Sequence, residues 1–200
     1  MSHLGTGTHV TGSLGSGGRT DGDSGDGRYK GPTATPFLVV ASAPGDIGGR
    51  PIPVDQAVTN QGITVAIASG LEWKHFQLQL SCLVTNLGVV GCAAGVAEFY
   101  IGRPFSIWNS GHETLTPAQV KSSAVRIGYA PFQAPPGKTV TVVCKNLWKP
   151  GSSWGAQAGI LVQVYDLFTD HMTSPFDAVN DRHVARNDQV LSPLVSITHL

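Results

Sequence analysis

Apolar and polar positions alternate most clearly between residues 138 and 168. In KTVTVVCKNLW, Val140, Val142 and Cys144 fall on one side of an extended chain, and Thr139, Thr141 and Lys145 fall on the other. In AGILVQVYDLF, Ile160, Val162 and Val164 alternate with Leu161, Gln163 and Tyr165. A period of two, rich in Val, Thr and aromatic residues and bounded by Pro and Gly, predicts half-buried strands. The Gly/Ser-rich stretch between them predicts a long-looped β-hairpin at the centre of the fold.

Further strands are predicted at Pro36–Ala41, Ile63–Ala68 and Lys74–Thr85. In the last of these, Phe76, Leu78, Leu80, Cys82 and Val84 share one face. Val96–Trp108 is predicted as another, broken by Gly102 and Pro104. The loop 43–53, with its prolines and glycines, is predicted to be an ordered turn region. Thr116, Pro117 and Gln119 form a capping signature at the start of a short helix over 115–126. Ser174 and Asp177 suggest a second short helix, running to about Arg186. Residues 86–95 and the Pro-rich run 130–137 are predicted as connections. In the tail, 189–200, Pro193 restricts an extended segment to a sheet edge.

Together these elements predict an all-β chain: an antiparallel β-sandwich of jelly-roll type, with two short helices and extended N- and C-terminal arms. The divisions are 1–35 for a Gly-rich arm, 36–170 for the sandwich, and 171–200 for a helix and tail. The arm holds ten of the chain's 25 glycines within residues 1–31. Such a segment buries too little apolar surface to offset its ordering entropy, so its expected partner is another chain.

Composition narrows the role. Hydrophobic residues make up 41% of the 200, enough for a core, while charged residues make up only 13%. That coat is about half the usual share for a soluble domain, which suits a surface covered by neighbouring subunits. The net charge is zero, so nothing draws the chain to a phosphate backbone, and nucleic acid is not an expected partner. No apolar run is long enough to span a bilayer. The first 30 residues have no apolar stretch of the signal-peptide kind. Cys82, Cys92 and Cys144 form no CxxC pair and are expected to be buried thiols.

Motifs for chemistry are broken ones. Gly137-Lys138-Thr139 has Phe132 where a phosphate loop needs glycine, and a strand follows instead of a helix. His112-Glu113 lacks the second histidine of a zinc helix, since Thr116 stands there. Asp21, Asp23 and Asp26 resemble a calcium loop that lacks its closing Glu. No G-x-S-x-G elbow occurs. The expectation is a protein with no catalytic residues, no metal and no cofactor. Trp154 sits in the Gly/Ser loop of the predicted hairpin and Trp148 at its shoulder, and an exposed pair there would offer a stacking platform or a protein anchor.

The Gly-rich arm at 1–31, the low-charge sandwich from Pro36 to Phe168 and the extended tail at 189–200 resemble structural proteins of virions. The likeness is to small β-sandwich capsid decoration (cement) proteins and to minor capsid or tail proteins of tailed bacteriophages. It implies a non-enzymatic protein made in the host cytoplasm and located in the virion. It also implies oligomers, often trimers, with arms crossing to other copies or to a major capsid protein. The expected contact residues are Tyr29, Phe37, Trp148, Trp154, Val190, Leu191 and Leu194. The alternative is a carbohydrate- or receptor-binding module of a phage tail, resting on Trp148 and Trp154.

Overall fold

The alternation in residues 77–86 becomes a strand whose even-numbered positions, Leu78 to Asn86, are all buried. It lies at the centre of its sheet. A computed structural model describes residues 35–69, 77–102, 116–150 and 158–188. In chain order the elements are β1 (Leu38–Val39), α1 (Val54–Ala57), β2 (Ile63–Ser69), β3 (Gln77–Asn86), β4 (Cys92–Gly102), α2 (Pro117–Ser123), β5 (Val125–Ala134), β6 (Thr139–Val143), β7 (Gly159–Asp166) and β8 (Val184–Asn187).

In the first sheet β3 pairs antiparallel with β1, β2 and β6. The second sheet runs β5-β4-β7-β8, also antiparallel throughout. The inward faces meet in one core. Leu78, Leu80, Cys82 and Val84 come from the first sheet, and Ala97, Phe99, Ile101, Ile160, Val162 and Val164 from the second. The all-β antiparallel sandwich expected from the sequence is therefore the observed fold. Its strand order matches the immunoglobulin-type sandwich more closely than a jelly roll.

Several local expectations give way. The predicted hairpin between 138–148 and 158–168 does not form: β6 pairs with β3 and β7 with β4, so the two strands lie in different sheets. Alternation places a side chain on a face but does not choose a strand's neighbour. The run 130–137 is not a loop up to Ala134, because β5 extends through it with Pro131 opposite Val96. β5 is an edge strand, the place where a sheet tolerates proline. β4 starts at Cys92, inside the predicted connection.

The capped helix at Thr116 is present, with Gln119 bonding back to the Thr116 amide at 2.8 Å. No helix forms over 174–186. Turns lead instead to β8, so the second sheet takes its edge strand from the segment set apart as 171–200. The second helix is the single turn α1, which follows directly on the turn region predicted over 43–53 and had no predicted counterpart.

Two buried polar centres hold the crossings between sheets. Asn86 is fully buried, and its Oδ1 accepts from Phe37 N and Gly88 N, both at 3.0 Å. Its Nδ2 donates to Val90 O at 2.8 Å and Ala134 O at 2.9 Å. One amide thereby joins β1, the 87–91 crossing and β5. Gly88 sits so close to this junction that a Cβ would lie 2.2 Å from Thr35 O.

The second centre is Asp170, His183 and Asp181, beneath the loop between β7 and β8. A smaller cluster of Ala57, Val120, Leu161, Ala178 and Val184 covers part of the second sheet's outer face. Among the described residues no helix is long and apolar enough to cross a membrane.

Candidate contact surface

Because β3 and β6 alternate strictly, and β2 alternates up to the irregularity after Ile67, about half of their side chains project away from the core. These are Thr64 and Ala66 on β2, Gln77, Gln79, Ser81, Leu83 and Thr85 on β3, and Thr139, Thr141 and Val143 on β6. None carries a charge. Hydroxyl pairs cross the strands, with Thr64 Oγ1 at 2.6 Å from Ser81 Oγ and Thr85 Oγ1 at 2.8 Å from Thr139 Oγ1. Gln79 Nε2 donates to Cys144 O.

These bonds pair five of the polar side chains within the face and so lower its hold on water. Leu83, 41% exposed, stands between the hydroxyl pairs, and Val143, 47% exposed, stands beside Ser81 at the end of one of them. Their registers are adjacent, Leu83 opposite Thr141 and Val143 opposite Ser81. The result is a flat, uncharged face with an apolar centre, a surface that can be covered without stripping water from an ion.

Of the sequence-predicted contact residues, Trp148 and Phe37 lie among the described ones. Trp148 is 5% exposed and packs in the main core, with its backbone bridged to Leu78 by two 2.8 Å hydrogen bonds. It offers no ring to a ligand. Phe37 is half-buried and lies under the Arg182 guanidinium, 4.1 Å from the ring centroid. Tyr29, Trp154, Val190, Leu191 and Leu194 lie outside the described residues. Leu83 and Val143 escaped sequence reasoning because an exposed Leu in a strand is ordinary. Only the pairing of β3 with β6 makes them neighbours.

The titratable residues form a structural cluster. His183 is fully buried between two carboxylates. Its Nδ1 lies 2.8 Å from Asp181 Oδ1 and its Nε2 lies 3.2 Å from Asp170 Oδ2. Asp181 also accepts from Thr173 N at 2.6 Å, Ser174 N at 2.7 Å and His183 N at 2.9 Å. Asp170 accepts from Leu38 N at 2.6 Å and pairs with Arg182.

Burial opposes charge on every member, yet both carboxyls are held below the usual range by bonding to the imidazole, and the imidazole is held above its own by both carboxylates. No substrate atom can reach the buried ring. The cluster binds β1 to the 170–183 loop. The three cysteines are free and buried, and burial with the Asp166 carboxylate pushes the Cys92 thiol up to about 12. Such thiols are inert as nucleophiles. Among the described residues no three His, Cys, Asp or Glu side chains are placed to hold a metal ion.

No protein family matches the chain, and no curated protein does. Among solved structures it is similar to a β-glucosidase from Chaetomella raphigera, at 18% identity and a TM-score of 0.32, over 62% of this chain and 17% of that one. It is also similar to a GH3 β-glucosidase from Bifidobacterium adolescentis, at 14% identity and a TM-score of 0.29, over 65% and 16% of the two chains. A third is the β-D-glucoside glucohydrolase of Trichoderma reesei, at 14% identity and a TM-score of 0.27, over 76% and 18%. The chain spans less than a fifth of the length of each, and likeness of this degree assigns no activity.

Proposed function

We propose that this chain is a non-enzymatic structural protein of a virus particle, of the capsid decoration or minor capsid kind, that stabilises the assembly through contacts between subunits. The observation that carries the reading is the outward face of β2, β3 and β6, which presents ten side chains without a charge and an apolar centre at Leu83 and Val143. The low charged share of the whole chain and the Gly-rich arm support it. The virion is the assembly that the sequence resemblance suggests. The partners in this reading are further copies of the chain, or other virion proteins such as a major capsid protein. Association would gain from apolar burial on the flat face, and arm exchange would set register.

The test is the mass of the purified full chain by light scattering behind a sizing column, with limited proteolysis of residues 1–31 in the same sample. Oligomers, or an arm that becomes protected when a capsid lattice is added, support the reading. A monomer that neither self-associates nor binds capsid lattices overturns it.

A further inference from the structure

The second sheet carries a different kind of surface. On its outer face Glu98 stands directly opposite Tyr129 across β4 and β5, and Tyr100 stands opposite Arg126. Tyr165 projects from β7 one register along, opposite Val96. Arg126 Nη2 bonds Glu98 Oε1 at 2.8 Å, and the Tyr100 hydroxyl donates to Glu98 Oε2 at 2.8 Å. The Arg126 guanidinium also lies 5.4 Å from the Tyr129 ring centroid. Tyr129 is 52% exposed.

One side of this patch is walled by Phe176, whose ring meets Tyr100 edge-on at 5.2 Å. Phe176 holds a φ of 66°, a conformation rare for a bulky residue, and its amide is fixed by Gln163 Oε1 at 2.8 Å. Strain of this kind persists only where the surroundings enforce it. An ion pair whose guanidinium is half-exposed contributes little to stability, so stability alone is a poor reason for the arrangement.

We propose that the Tyr129–Glu98–Arg126 patch is a binding site for a neutral oligosaccharide. The exposed phenol ring offers a stacking face to the C–H side of a pyranose. The carboxylate has lone pairs left after its two bonds, and the guanidinium has N–H groups left after one, so hydroxyls meet acceptors and donors side by side. Glu98 and Arg126 neutralise each other. A charged ligand would have to break that pair, whereas an uncharged polyol leaves it intact. The site is remote in sequence from Trp148 and Trp154, and it acts independently of subunit association through the first sheet.

The experiment is calorimetric titration of the full-length protein with neutral gluco-, manno- and galacto-oligosaccharides of three to five units, with sialyllactose and a heparin tetrasaccharide as charged controls. At least one neutral ligand is expected to bind. Tyr129→Ala is expected to weaken it at least tenfold and Tyr129→Phe far less, with the oligomeric mass and unfolding midpoint unchanged. The inference is overturned if no neutral oligosaccharide binds, if a charged control binds more tightly, or if Tyr129→Ala binds as well as the parent. None of these outcomes bears on the light-scattering result that decides the assembly role.

Discussion

His183 Nδ1 lies 2.8 Å from Asp181 Oδ1, and both side chains are buried beneath the β7–β8 loop. With Asp170 on the other ring nitrogen, this pair gives the fold a two-sided dependence on pH. His183 titrates above its ordinary value in the folded chain, so its contribution is fully present below about pH 6.5 and is lost as pH rises through the folded value. Asp170 and Asp181 titrate below their ordinary 3.8, so theirs is present above that pH and lost as pH falls towards the folded values. Urea midpoints at pH 3, 5.5 and 9 should peak at the middle value. His183→Gln should remove the decline on the alkaline side. A midpoint independent of pH would count against the charged cluster.

Asn86→Ala removes four hydrogen bonds at once, two of them to the buried Gly88 N in the 87–91 crossing and Ala134 O on β5. Each orphaned buried group costs about 1–3 kcal/mol, so a loss of roughly 3 kcal/mol or more is expected in urea unfolding. A loss below about 1 kcal/mol would show that water replaces the amide.

Trp148→Ala is a core truncation and should destabilise by about 3–5 kcal/mol. Trp148 is 5% exposed, so no ligand depends on it directly. Trp148→Phe should retain most of the stability and all of the oligosaccharide binding.

Leu83→Arg and Val143→Glu place a charge on the uncharged face without touching the core. Each should leave the unfolding midpoint within about 0.5 kcal/mol, the usual range for surface changes. Each should lower the oligomer's association constant at least tenfold by light scattering. Oligomers that tolerate both charges would move the contact elsewhere.

The faces of the strands were legible in the sequence and their partners were not. The alternation of Leu78, Leu80, Cys82 and Val84 is local, and it put those residues in the core correctly. The capping signature at Thr116 was legible for the same reason. That β6 crosses to β3, away from β7, depends on long-range pairing that no local pattern encodes. Pro131 hid β5 by its turn-like context, APFQAPPG, and with β5 hidden Tyr129 could not be set opposite Glu98. The sugar-binding alternative rested on tryptophans because they are conspicuous in the sequence. Burial withdrew Trp148, and the tyrosines emerged only from strand register.

Pro131 also bears on what the molecule avoids. It lies within edge strand β5, and Asn146 Nδ2 reaches over to the same strand to occupy Ile127 O at 3.0 Å. An edge missing one donor, with an acceptor already engaged, is a poor template for a further strand. Growth by endless edge-to-edge addition is therefore stopped along β5. Copies crowded together at high concentration can meet there without seeding fibrils.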